Sequence, residues 1–148
     1  MAPQVLKLDA KFTTSTPAET IELGRKLALD LLPPRGLVLL IGNLGAGKTT
    51  LAKGIAEGRG AVPQDDVSSP TFTLIHEYGD PPKVYHIDLY RLEDARQVGA
   101  LGIEDLLDSD ALVLIEWGER FPELWPPDHA EIRIERTGDD HRMFMIRL

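Results

Sequence analysis

An α/β fold, with a central, mostly parallel sheet flanked by helices and a β-hairpin at its edge, is predicted by three observations. Two short apolar runs, Leu37-Val38-Leu39-Leu40-Ile41 and Ala111-Leu112-Val113-Leu114-Ile115, read as strands buried on both faces. Apolar residues at helical spacing precede and follow the first run. Period-two alternation returns in the last twenty or so residues around a Gly138-Asp139-Asp140 turn. The 148 residues read as one domain spanning 1–148.

The first helix runs from about Pro17 to Leu32. Thr16-Pro17-Ala18-Glu19 is a capping box with proline at the first helical position. Leu23, Leu27, Ala28 and Leu31 recur on one face, and Pro33-Pro34 stop the helix. The buried strand at 37–41 follows, then a glycine-rich turn. A second helix extends to about Gly58, with Leu51 and Ile55 four apart and Gly60 as its terminator. A strand from Thr71 to Tyr78 places Phe72, Leu74, His76 and Tyr78 on one face. Gly79-Asp80-Pro81-Pro82 turns the chain into a return strand from Lys83 to Asp88, where Val84, His86 and Asp88 share a face. Glu93 to Leu107 reads as helix interrupted near Gly99 and Gly102. The second buried strand ends at Glu116, and strands at 130–135 and 143–148 form the hairpin, expected at the sheet edge.

Gly42-Asn43-Leu44-Gly45-Ala46-Gly47-Lys48-Thr49 fits G-x-x-x-x-G-K-[ST], the phosphate-binding loop. Glycines let successive N–H groups turn inward toward phosphate oxygens. The following helix N-terminus adds free N–H groups and a positive dipole end. Lys48 supplies a charge for the β- and γ-phosphates, and the Thr49 hydroxyl a Mg²⁺ ligand. The strand before and the helix after the loop are the context this motif requires. Such enzymes place a carboxylate near Mg²⁺ at the end of a second strand, and Glu116 occupies that position where Asp is commoner. On the return strand, Asp88 is a candidate for orienting a water or holding Mg²⁺ through water, with His86 as an orienting neighbour. One such pair is too few for a metal site of its own. Ser69-Pro70-Thr71-Phe72-Thr73 offers hydroxyls that could sense a γ-phosphate, or simply a capped strand start. The guanine-specific Asn-Lys-x-Asp is missing, as is an Asp-x-x-Gly after the loop helix, so ATP is the expected nucleotide.

Sixteen Lys+Arg against twenty-four Asp+Glu give a net charge of −8. Proteins that grip nucleic acid alone are usually basic, because phosphate neutralisation dominates that affinity. Any contact with RNA or DNA is therefore expected to be local or made through a partner, and no DNA partner is expected. The chain has no cysteine, which excludes disulfides, thiolate zinc sites and cysteine nucleophiles. No run approaches a membrane span, and the first residues lack a signal peptide's apolar core, so a cytoplasmic location is expected.

Leu44-Gly45-Ala46-Gly47-Lys48-Thr49-Thr50, then Ser69-Pro70-Thr71-Phe72, then His86-x-Asp88-x-Tyr90-Arg91, then Glu116-Trp117, in this order and spacing, resemble the bacterial TsaE family (older name YjeE). The similarity runs from about Thr16 to the last strand. It implies a P-loop ATPase needed for threonylcarbamoyladenosine beside the anticodon of tRNAs, working with the TsaB–TsaD pair and reaching tRNA indirectly. Leu44, Gly45, Ala46, Gly47, Lys48, Thr49 and Thr50 would hold the phosphates of ATP. Thr49 and Glu116 would hold Mg²⁺. Asp88, with Glu116 and Lys48, would be catalytic. Arg142 matches a position near the nucleotide in relatives, and the segment around Thr16 and Pro17 would border the adenine. Some relatives continue past the last strand, whereas this sequence ends at Leu148.

Two other classes fit a phosphate loop. A small-molecule kinase would use Arg91 and Arg96 as a lid, but leaves Ser69-Pro70-Thr71-Phe72 and Glu116-Trp117 unexplained. A nucleotide-dependent scaffold would bind ATP without turnover. Phosphate release without an added acceptor separates an ATPase from a kinase, and absence of any turnover, with and without partners, favours the scaffold.

Overall fold

A computed structural model describes residues 9–43, 45–61, 75–79 and 81–148. Seven strands form one sheet: β1 (Asp9–Thr14), β2 (Gly36–Ile41), β3 (Ile75–Tyr78), β4 (Val84–Asp88), β5 (Leu112–Glu116), β6 (Ala130–Arg136) and β7 (Arg142–Arg147). Their spatial order is β1-β7-β6-β2-β5-β4-β3. The four central strands, β6, β2, β5 and β4, run parallel. The outer pairs β1–β7, β6–β7 and β3–β4 are antiparallel. Among the described residues there are four α-helices: α1 (Pro17–Asp30), α2 (Lys48–Gly58), α3 (Ala95–Gly99) and α4 (Ile103–Leu107).

The unbroken apolar runs became the centre of the sheet because both their faces are covered. On one face, Val38, Leu40, Leu112, Leu114 and Ile132 pack beneath Leu23 and Leu27 of α1 and Leu51 and Ile55 of α2. On the other, Leu39, Ile87, Val113 and Ile115 meet Val98 of α3, Ile103 of α4, and Phe121 and Trp125 of the segment after β5. The α/β class predicted from the sequence is therefore present, with helices on both sides.

Helix α1 begins where the capping residues place it. The Glu19 N–H donates to Thr16 Oγ1 at 3.1 Å, and Glu19 Oε1 accepts from the Ser15 N–H at 2.7 Å. α1 lies directly on α2, glycine against backbone. A Cβ added at Gly54 would stand 2.1 Å from the Ile21 carbonyl oxygen, and one at Gly24 would stand 2.6 Å from that of Leu51.

One feature differs from the sequence reading. β1 pairs outside β7 along its whole length, so the late hairpin lies one strand in from that edge, and the hairpin at an edge is β3–β4. The 93–107 segment is two short helices, interrupted between Gly99 and Gly102 as the sequence reading expects. Gly102, at φ 74°, takes a left-handed turn between them. The described part of the strand expected from Thr71 starts at Ile75; Ser69, Pro70, Thr71, Phe72 and Thr73 lie outside the described residues.

The strand order decides where chemistry can occur. β2, β5 and β4 are adjacent and parallel, so their C-terminal ends share one sheet edge, the edge at which open α/β sheets bind ligands. β6 ends there too. β7 begins there because it returns antiparallel, with Arg142 opposite both Arg136 and Thr14.

Candidate functional site

The glycine-rich loop leaves β2 at this edge and runs directly into α2, whose first residue is Lys48. Gly45 (φ 75°) and Gly47 (φ 108°) take left-handed conformations that L side chains resist. The loop curls back on itself through the Ala46 N–H, which donates to Asn43 O at 3.0 Å. Leu44 lies outside the described residues. Thr50 follows, half-buried, on the first turn of α2.

Lys48 is buried, at 4% exposed, although it carries a charge. Its ammonium donates to Gly42 O at 2.8 Å, lies 4.0 Å from Glu116 Oε1, and stands 3.8 Å from the Trp117 ring centroid. Cation–π attraction and the carboxylate thus replace the water it has lost. Burial pushes the Lys48 ammonium pKa down, against the opposing charges of Glu116, Glu119 and Asp88.

Glu116 closes β5 and faces the same way as Leu40 of β2 and Asp88 of β4, its register partners. It accepts from Thr49 Oγ1 at 3.2 Å, and its Oε2 is 2.5 Å from His86 Nε2. Burial alone would raise this carboxyl's pKa. The hydrogen bond and charge of His86, then Lys48 and Thr49, outweigh burial and hold it below the ordinary carboxylate range. Asp88 is at the neighbouring strand end, where its Oδ1 accepts the Tyr90 N–H at 2.9 Å.

After Glu116 the backbone turns sharply. Trp117 has φ 67°, the one non-glycine with positive φ among the described residues. The turn is held by Trp125 Nε1–H, which donates to Gly118 O at 2.7 Å. It brings the Trp117 ring over Lys48 and within 5.2 Å of the Tyr90 ring, with the Arg120 guanidinium 4.8 Å from Trp117.

Arg142 reaches the loop from the far side. Its Nε donates to Ala46 O at 2.8 Å and its Nη2 to Gly45 O at 3.3 Å. Its Nη1 faces the carbonyl oxygens of Gly138, Asp139 and His141 at 3.4, 3.0 and 3.0 Å.

The residues present suit a phosphate chain and a hard divalent cation. The loop is a glycine cradle opening at a helix N-terminus, with a buried ammonium at its mouth. A hydroxyl and an ionised carboxylate in mutual contact are the oxygen donors that Mg²⁺ takes.

The family model described as "Threonylcarbamoyl adenosine biosynthesis protein TsaE" matches residues 14–144. The chain belongs to the TsaE family. It is similar to the tRNA threonylcarbamoyladenosine biosynthesis protein TsaE of Bacillus subtilis, at 41% identity over 89% of this chain and 81% of that protein. The protein of the same name in Streptomyces coelicolor is 44% identical over 80% of each chain. A crystal structure of Bacillus subtilis YdiB superposes with a TM-score of 0.74 at 32% identity, covering 97% of this chain and 88% of that one.

In this TsaE chain, Lys48, Thr49 and Glu116 converge as the sequence reading requires, and Asp88 sits one strand away. Arg142 reaches the loop, and there its contacts are with backbone carbonyls. Sequence reasoning placed His86 beside Asp88, whereas the structure gives its Nε2 to Glu116 across the sheet. It assigned nothing to the ring of Trp117 or to Arg120. The Glu116-Trp117 pair was visible in the sequence, but the backbone turn that folds the ring back onto Lys48 left no signal there.

Proposed function

We propose that this chain is a Mg²⁺-dependent ATPase that acts in the cytoplasm with a TsaB–TsaD-type pair in forming threonylcarbamoyladenosine on tRNA, meeting tRNA through that pair. The observation that carries this reading is the buried Lys48. It stands at the mouth of a glycine cradle, beside a Thr49–Glu116 pair at the end of the adjacent strand. The names borne by the relatives support the pathway, and the −8 net charge supports an indirect route to tRNA.

In this reading, the amides of Gly45 and Gly47 and the first turn of α2 bind the phosphates. Lys48 exchanges Gly42 O for the outer phosphates, and the Trp117 ring keeps water from it. Thr49 and Glu116 hold the cation, and His86 keeps the Glu116 carboxylate oriented and ionised. Bound Mg²⁺ supplies neutralisation of the charge that develops between the outer phosphates. Asp88 orients the attacking water, whose oxygen bonds to the γ-phosphorus as the bond to the ADP oxygen breaks.

Replacing Lys48 tests the reading. Lys48→Ala should remove ATP binding from a protein with native circular dichroism, because dipoles alone then remain at the outer phosphates. Unchanged nucleotide affinity in the folded variant would sink the proposal.

A further inference from the structure

Arg142 stands 96 residues from Ala46 in sequence, yet its guanidinium is surrounded by five backbone carbonyls. Nε and Nη2 grip the successive carbonyls of Gly45 and Ala46, while Nη1 grips the tip of the β6–β7 hairpin. A guanidinium has five N–H donors, so this arrangement leaves one Nη2–H for anything else. Its side chain also packs under Gly47, where an added Cβ would lie 3.6 Å from Nε.

A trans peptide is planar, so its C=O and N–H point in opposite directions. The shortest loop contact, 2.8 Å to Ala46 O, therefore aims the Gly47 N–H away from Arg142. The Ala46 N–H is committed to Asn43 O, which leaves the Gly47 amide as the donor that Arg142 presents. A cation on the carbonyl side also polarises that N–H and strengthens it as a donor.

From this geometry we infer that Arg142 is a positioning residue for phosphate. It holds the loop carbonyls from behind, tied to the β6–β7 hairpin, and sets the loop amides that receive the phosphate chain, without touching the nucleotide. The inference rests on the phosphate-loop reading above. It locates Arg142's effect in the phosphate cradle, whereas a residue near the nucleotide could equally meet its base or its γ-phosphate.

Calorimetric titration of the full chain with Mg-ATP, Mg-ADP and Mg-tripolyphosphate separates these cases. Arg142→Ala should weaken all three by a common factor, about tenfold or more, the equivalent of about 1.4 kcal/mol. Arg142→Lys should recover part of the loss, because a point charge cannot fork two carbonyls. Millimolar methylguanidinium should recover part of it in Arg142→Ala and nothing in the wild type. If the alanine variant fails to fold, the lysine variant must still show equal losses for all three ligands. A loss confined to ATP would overturn the inference in favour of a γ-phosphate contact. A loss for ATP and ADP that spares tripolyphosphate would overturn it in favour of a base or ribose contact. Unchanged affinities would make Arg142 a spectator. Wild-type protein that binds none of the three would instead bring down the phosphate-loop reading itself, and is measured first.

Discussion

Glu116 receives Thr49 Oγ1–H, lies 2.5 Å from His86 Nε2 and 4.0 Å from Lys48 Nζ, all within a buried strand end. Its neighbours lower the carboxyl's pKa where burial alone would raise it. An ionised group there is what a divalent cation needs, while the phosphates meet the loop. Glu116→Gln keeps the shape and removes the charge. Mg²⁺ affinity should then fall by about tenfold or more, whereas metal-free nucleotide affinity should change by less than about threefold, well under the 1.4 kcal/mol of a tenfold step. Metal-dependence curves of nucleotide binding check this. If Glu116→Gln keeps its metal dependence and Asp88→Asn loses it, the two carboxylates have exchanged roles. Lys48, Thr49 and Glu116 were legible in the sequence because the first two lie in a contiguous motif and the third ends an apolar run. The partner of His86 was not legible, since it depends on β4 and β5 being neighbours, and strand order is a property of the whole sheet.

The α1–α2 contact decides where Lys48 starts. Gly24, Gly54 and Gly58 let the two helix backbones touch, and a Cβ at Gly54 would fall 2.1 Å from Ile21 O with no flexible side chain to give way. Gly54→Ala should therefore destabilise the fold by about 1–3 kcal/mol or more, the usual cost of overpacking. Urea midpoints measure this, and an unchanged or raised midpoint at equal slope would show that the helices are free to separate. Helix α1 was legible because its capping box and terminating prolines are local chemistry. β1 was not. Asp9–Thr14 alternates polar residues with the half-buried Ala10 and Phe12, so its signal is weak. Pairing with β7 completes it. The glycine stripe was not legible either, because tight helix contact is seen only when the partner helix is in place.

At the scale of the molecule, four parallel strands deliver their ends to one edge, and the returning β7 brings Arg142 to the same place. Two described arginines at the site are already engaged. Arg142 holds loop and hairpin carbonyls, and Arg120 donates to Tyr90 O at 2.7 Å. An arginine supplied to the transition state of phosphoryl transfer is worth ~10³–10⁵ in rate, so with these two committed the chain should hydrolyse ATP slowly until a partner completes or rearranges the site. Among the described residues no helix is long and apolar enough to cross a membrane. The most direct test is steady-state phosphate release at saturating Mg-ATP, with and without the TsaB–TsaD pair, for the wild type and Lys48→Ala. Slow release by the wild type alone, a marked rise with the pair, and none from the variant in either case are the expected results. Full activity in isolation that the pair leaves unchanged, or release that survives the loss of Lys48, would contradict them.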